Sequence, residues 1–133
     1  MKGHNKLNVW KRSIDLVTKV YDTTSSFPEE EIYGLSSQIR RASVSIPSNI
    51  AEKAGRNSNK EFIQFLSVAQ GSIAELETQL IISQNLGYIK EGDGVFSELD
   101  EISKMIIGLQ KSLRQKGRYS SLATRNREGE RVD

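Results

Sequence analysis

The chain has 133 residues with no Cys, one Trp and one His, a length typical of a single domain. The absence of Cys excludes disulfide frameworks, Cys-ligated zinc fingers, thiol catalysis and c-type haem attachment. The formal net charge is +2, with 36% hydrophobic and 27% charged residues, and β-branched residues do not cluster in short alternating runs. We therefore expect an all-α protein. No stretch approaches the roughly 18 apolar residues of a membrane span, so we expect a cytoplasmic protein without membrane contact.

Four segments with helical periodicity are separated by short breaker clusters, which predicts an antiparallel, up-and-down four-helix bundle. The first helix covers about residues 8–27 and ends before Pro28, because a residue that precedes proline is pushed out of the α region. Its apolar residues cover more than half of the circumference. The predicted seam is Trp10, Ile14, Val17, Tyr21 and Thr24, flanked by Val9, Leu16, Val20 and Phe27.

The second helix is predicted over about residues 29–55, with acidic residues at its start. Pro47 lies inside this segment, where it removes one backbone hydrogen bond. We predict one helix that is kinked at Pro47; the alternative is a break, with Ser48 capping a new short helix. The seam of this helix is Ile32, Leu35, Ile39, Ala42, Ile46 and Ile50.

The third helix has well-marked ends. Ser58 followed by Glu61 forms a capping box, and the helix is predicted to end near Asn85 with Gly87 as a left-handed cap. Its seam is Phe62, Leu66, Ala69, Ile73, Leu76 and Leu80.

The fourth helix follows a charged turn at residues 90–94 and is predicted to end by Gly117. The bundle is thus assigned to residues 1–117. Residues 118–133 are basic and poor in apolar groups, which predicts a disordered tail. The seam of the fourth helix is Val95, Leu99, Ile102, Ile106, Leu109 and Leu113.

The residues that common catalytic sites require are missing from the predicted helices. The single histidine, His4, precedes the first helix, so a triad or a Glu-x-x-His metal site has no histidine to use. The sequence also contains neither a phosphate-binding Walker loop nor a Gly-x-Ser-x-Gly elbow. We therefore expect no enzymatic activity, no metal and no cofactor.

A polar stripe follows one face of the second helix, beside its apolar seam. Such a stripe is half-buried, and Ser72 and Glu75 on the third helix are candidate partners. It fits an interhelical hydrogen-bond network that fixes the register of the helices, or the lining of a small polar pocket or an oligomer channel. The members of the predicted network are Gln38, Arg41, Ser45, Asn49, Glu52 and Glu75.

The charge is unevenly distributed along the chain. Residues 1–57 carry a net charge of +3, residues 58–113 of −4 and residues 114–133 of +3. In one copy the basic residues fit an ordinary solvated face, whereas a ring of copies would multiply them into a surface that binds RNA or DNA phosphates. We see no base-stacking aromatic platform around them and expect no sequence-specific reading of single strands. The candidate nucleic-acid-binding residues are Arg40, Arg41, Lys53, Arg56 and Lys60.

Helices one to three carry more apolar residues than a single seam needs, which indicates a homo-oligomer. The surplus residues are Val9, Leu16, Val20 and Phe27, then Ile32 and Tyr33, and Ile63, Phe65 and Val68.

Residues 33–52 resemble the signature of a bacterial four-helix-bundle family. That family contains the proteins encoded in intervening sequences of 23S ribosomal RNA genes and the accessory variability determinant proteins of diversity-generating retroelements. The similarity spans about residues 8–113 and departs from the pattern at Lys53, where the family usually has Gly. Further matching residues are Asp15, Leu16, Val17, Phe27 and Pro28, Glu31 and Ile32, Lys60, Glu61, Phe62, Phe65 and Leu66, and Ala69, Gln70, Gly71, Ser72, Glu75 and Leu76.

The resemblance implies an antiparallel four-helix protomer that assembles into a closed ring, a pentamer, without enzymatic activity. In the retroelement branch, the resemblance implies a ring that binds nucleic acid and partners a reverse transcriptase. In the intervening-sequence branch, it implies association with ribosomal RNA. We therefore expect a non-catalytic homo-oligomeric adaptor that binds nucleic acid and docks a protein partner; the alternative is a purely structural assembly protein that binds no nucleic acid.

Overall fold

The computed structural model describes residues 5–52 and 58–127, with side chains up to Lys116. These residues form four α-helices and no strand, which confirms the all-α prediction. The helices are α1 (Lys6–Thr24), α2 (Leu35–Glu52), α3 (Asn59–Asn85) and α4 (Val95–Arg127). Helix α1 contacts α2 and α4, and α3 contacts the same two helices, so each helix has two neighbours.

Helix α1 turns a different face to the core from the predicted one. Val9, Leu16 and Val20, which we assigned to the surplus, are fully buried. Ile14 and Tyr21, assigned to the seam, are 39% and 44% exposed. The prediction of the inward face was wrong because apolar groups cover both faces of this helix, so its own periodicity does not select one.

The second helix starts later than predicted. Glu29–Glu31 form a separate 3-10 turn, and α2 begins at Leu35 after Gly34. The Oε1 atom of Glu31 accepts a hydrogen bond from the backbone N–H of Leu35 at 3.1 Å. This carboxylate satisfies one of the donors that the first turn of a helix leaves free, and it fixes the start of α2 at that point.

Helix α2 continues through Pro47, as predicted in preference to a break at Ser48. The Pro47 side chain is buried, so the ring packs among its neighbours while one backbone hydrogen bond is absent. A kink at this position stays a prediction, as does the up-and-down arrangement of the whole bundle.

The predicted seams of α3 and α4 are confirmed, because all twelve residues assigned to them are buried. Ser58 caps α3 by accepting from the N–H of Glu61 at 3.0 Å. At its other end, Gly87 has φ +85° and the N–H of Tyr88 donates to Ser83 O at 2.9 Å, which is the Schellman arrangement.

Helix α4 is longer than predicted. Its backbone continues to Arg127, beyond the expected end at Gly117. A single glycine costs a helix only about 1 kcal/mol, and no proline follows it, so the helical segment does not stop there. The predicted tail is thus helical in its first part, and residues 128–133 lie outside the described residues.

Polar contacts join α4 to its neighbours. Gln70 on α3 donates to Ser103 O, and Gln110 donates to Ile63 O, so the two helices run in opposite directions. On the other side, Arg12 of α1 pairs with Glu98 and Glu101 at 3.2 and 3.1 Å.

Candidate nucleic-acid interface

Three of the five predicted cationic residues lie in the described part of the chain. Arg40 and Arg41 are adjacent on α2, and Lys60 lies in the first turn of α3, whereas Lys53 and Arg56 lie outside the described residues. Arg41 and Lys60 are exposed and Arg40 is half-buried. Because successive helical residues point about 100° apart, the two arginines have different surroundings.

Arg40 links α2 to α1. Its Nε donates to Thr24 Oγ1 at 2.8 Å, and its Cζ lies 4.5 Å from the centroid of the Tyr21 ring. The Thr24 hydroxyl donates its own hydrogen to Val20 O at 2.9 Å, which leaves a lone pair directed at the guanidinium. Arg40 therefore has a fixed orientation and a structural role, while its charge remains near the surface.

A cleft of about 570 Å³ lies where the end of α1, the following turn and the start of α2 meet. We call it the connection cleft. Two arginines and two tyrosines line it, together with hydroxyl groups and one carboxylate. The lining residues used below are Tyr21, Glu29, Tyr33, Ser37, Arg40 and Arg41.

The connection cleft corrects the expectation that aromatic rings are absent around the basic residues. Tyr33 is 97% exposed and Tyr21 is 44% exposed, and both line the same cleft as Arg40 and Arg41. The sequence contained a signal for this, because Tyr33 lies only two residues before the start of α2. We missed it because Tyr33 was assigned to the apolar surplus.

Ser45 and Asn49 of the predicted polar stripe form hydrogen bonds, one of which crosses from α2 to α3. The hydroxyls of Ser45 and Ser72 are 2.8 Å apart, and Asn49 Nδ2 donates to Ser45 O at 2.8 Å. Gln38, Arg41 and Glu75 line a groove of about 310 Å³ with both serines. Within the described residues no ion pair of 4 Å or less joins Arg41 to Glu75, although both side chains line this groove. Glu52 is exposed at the last residue of α2.

A second groove, between α1 and α2, is apolar. Trp10, Ile14 and Val17 of α1 face Val44 and Pro47 of α2 across about 300 Å³. Leu7, which is 56% exposed, extends the same surface toward the start of α1. We call this surface the apolar groove.

The other predicted surplus residues divide between surface and interior. Ile32, Tyr33 and Val68 are exposed, as a surplus requires, while Ile63 and Phe65 are half-buried. Phe27 is buried against Tyr88, with ring centroids 5.2 Å apart.

A family model described as the 23S rRNA-intervening sequence protein matches residues 5–108. The chain belongs to this family. The match runs from the start of α1 into α4 and includes the connection cleft and the apolar groove, and the family name associates its members with 23S ribosomal RNA. No curated protein matches the chain. The resemblance to accessory variability determinant proteins stays a prediction.

Among the described residues, no helix is both long and apolar enough to cross a bilayer. In the same residues, no three His, Cys, Asp or Glu side chains come together as a metal site would need.

Proposed function

We propose that this chain is a non-catalytic helical adaptor that assembles with copies of itself into a closed ring, a pentamer, and binds nucleic acid through a basic surface. One observation carries the proposal: the α1–α2 side of the molecule combines an uncovered apolar groove with a cleft that contains two arginines. The apolar groove favours contact with another protein surface, and the arginines of the cleft attract phosphate.

Assembly is supported by the composition of the apolar groove. Ile14 and Val44 are 39% and 40% exposed, beside the half-buried ring of Trp10. Fully burying an exposed aliphatic side chain of this size contributes about 1.5–3 kcal/mol, so covering the remaining 40% contributes about 0.6–1.2 kcal/mol for each such residue. A second copy would remove this surface from water, and repetition of the contact would close the ring.

Nucleic-acid binding is supported by two exposed cations on α2 and α3. Arg41 and Lys60 are exposed, and within the described residues neither forms an ion pair of 4 Å or less. A ring multiplies both charges by the number of copies, and each phosphate contact releases counterions. The engagement of Arg40 with Thr24 and Tyr21 favours the competing function, a structural assembly protein whose charges serve solubility.

The docking partner follows from the family branch. Membership in the intervening-sequence family supports ribosomal RNA as the ligand. A reverse transcriptase would be the protein partner if the chain comes from a diversity-generating retroelement. The position of the gene, inside a ribosomal RNA gene or beside a reverse transcriptase gene, decides between these two.

Assembly is tested by light scattering at micromolar concentration. The wild-type protein is expected to be an oligomer, and the double variant Trp10→Ser with Ile14→Ser is expected to be a 14.9 kDa protomer with unchanged helicity. The control is Leu86→Ser with Ile107→Ser, which changes two residues that are each 55% exposed outside the groove and should leave the oligomer intact. A wild-type protein that is monomeric at this concentration contradicts the proposal.

Nucleic-acid binding is tested by electrophoretic shift with structured ribosomal RNA at two salt concentrations. Arg41→Glu with Lys60→Glu should weaken binding strongly, and raising the salt should weaken wild-type binding steeply. The control, Lys104→Glu with Lys111→Glu, makes the same charge change on exposed positions of α4 and should cost much less. The absence of any shift at low salt identifies the structural assembly protein instead.

A further inference from the structure

The exposure of Tyr33 has no explanation in the folding of the protomer. At 97% exposed, its ring gains almost nothing from burial. The other tyrosine of the connection cleft, Tyr21, is half covered by the guanidinium of Arg40, 4.5 Å from its ring centroid. The cleft thus presents one uncovered aromatic ring and one stacked pair of ring and guanidinium.

Both surfaces are suited to a flat, aromatic ligand. Nucleobases stack on tyrosine rings and on guanidinium planes, and every base has such a face. The cleft volume of about 570 Å³ lies within the range of small-ligand sites and accommodates one nucleotide.

The charges of the cleft select a phosphate with that base. Among its lining residues, Arg40 and Arg41 contribute two positive charges against the one carboxylate of Glu29, while Glu75 shares the neighbouring α2–α3 groove with Arg41. Arg41 is exposed and, within the described residues, has no carboxylate within 4 Å, so its fork of donors is available for two phosphate oxygens. The Ser37 hydroxyl adds a neutral donor or acceptor.

We propose that the connection cleft binds a single unpaired nucleotide of RNA or DNA, with its base stacked on Tyr33 and its phosphate held by Arg41. The inference rests on the proposed function and adds the ligand class to it. A base inside a duplex has both faces covered by its neighbours, so only an unpaired base offers the face that Tyr33 binds. Arg40 acts as a positioning residue, since its contacts with Thr24 and Tyr21 fix the wall of the cleft.

The test measures the binding of 10-nucleotide oligonucleotides that carry 2-aminopurine at the centre. Stacking on a protein ring changes the fluorescence of this base. Single-stranded RNA, single-stranded DNA and the corresponding duplexes are compared. Tyr33→Ala should weaken single-strand binding by about 5- to 100-fold, the effect of one lost base stack. Tyr33→Phe keeps the ring and should bind within about twofold of the wild type. Duplex binding should be unchanged in both variants.

Leu86→Ala is the matched control, because this side chain is 55% exposed outside the cleft and should change neither affinity nor fluorescence. Equal affinity for the two single strands means that base and phosphate alone are recognised; tighter RNA binding means that the 2′-hydroxyl is also contacted. Either result supports the inference.

Two results would overturn it. If Tyr33→Ala binds single strands as well as the wild type, or loses as much affinity for duplexes as for single strands, the stacking site is wrong. The proposed function is unaffected by these two results, because it is tested separately by the Arg41 and Lys60 variants. If the protein binds none of these oligonucleotides at low salt, the proposed nucleic-acid binding and the inference are both wrong.

Discussion

The α3–α4 seam and the α1–α2 seam differ in how their outer edges are closed. Between α3 and α4, Gln70 donates to Ser103 O and accepts from its hydroxyl, both at 3.1 Å. Gln110, only 7% exposed, donates to Ile63 O at 3.2 Å and contacts Ser67 Oγ at 3.1 Å. Each amide thus bridges α3 and α4, so polar groups along this seam find their partners within the chain.

Between α1 and α2 the edge is lined by apolar side chains with a cationic cleft at one end. Trp10, Ile14 and Val44 lie partly in solvent, and Arg41 is exposed. The comparison teaches that two seams of one small helical protomer can differ: polar bridges span the α3–α4 seam, whereas the α1–α2 seam leaves apolar side chains partly in solvent, where the proposed second copy would cover them.

The largest difference in unfolding free energy is expected when an isoleucine is replaced by alanine on each of the two seams. Ile106→Ala on α4 removes a fully buried side chain and should lower the free energy of unfolding by about 2–5 kcal/mol. Ile14→Ala, at a position 39% exposed, should change it by no more than about 0.5 kcal/mol at low protein concentration. Urea unfolding measures both, and a cost at Ile14 that grows with protein concentration would reveal the covering copy. Equal costs at low concentration would contradict the comparison.

The α3–α4 seam is bridged by glutamine side chains, and replacing one of them should have an intermediate effect on stability. Gln110→Leu removes the side-chain donor from α4 to the part-buried carbonyl of Ile63, which should cost about 0.5–1.5 kcal/mol in thermal or urea unfolding. The matched control is Gln115→Leu, one and a half turns later at an exposed position, with an expected change within about 0.5 kcal/mol. If the two variants are equally stable, the amide bridges do not hold the seam.

The smallest effect concerns a bond that ties the turn before α2 to the segment after α3. Tyr88 Oη donates to Glu31 Oε2 at 3.0 Å, and this bond raises the pKa of Tyr88 above its usual 10.0. A raised pKa in the folded state means that the stabilisation is complete below pH 10 and is lost as the pH rises through the raised value.

Tyr88→Phe keeps the ring contact with Phe27 but removes this donor. The variant should therefore be slightly less stable than the wild type at pH 7 by urea unfolding. The difference should disappear at strongly alkaline pH. A difference that is independent of pH would mean that the hydroxyl bond does not contribute.

Much of the fold follows from local patterns. The seams of α3 and α4, the Ser58 cap and the Gly87 cap are all as predicted, because each depends on residues three to five positions apart. The predicted start of α2 was wrong because the acidic residues after Pro28 also favour a helix start by local rules. The sequence does not reveal that the Glu31 carboxylate instead caps the helix that begins at Leu35.

The candidate site was less predictable. Arg40 and Arg41 are neighbours in the sequence, yet one is held by Thr24 and Tyr21 of another helix and the other is exposed. Ser72 was predicted to pair with Arg41 or Asn49 of the polar stripe, whereas in the structure its hydroxyl pairs with that of Ser45. The aromatic lining of the connection cleft was not predicted, since it joins the end of one helix to the start of the next.

By itself, the sequence determined the four helices, both ends of α3 and the buried faces of α3 and α4, because hydrogen bonds and capping within a helix involve near neighbours along the chain. Tertiary structure alone decided which face of α1 is buried and which side chains share a cleft with Arg41. A helix with apolar residues on two faces satisfies its own periodicity either way, and only packing against α2 and α4 selects Val9, Leu16 and Val20 for the core and leaves Ile14 and Tyr21 at the surface.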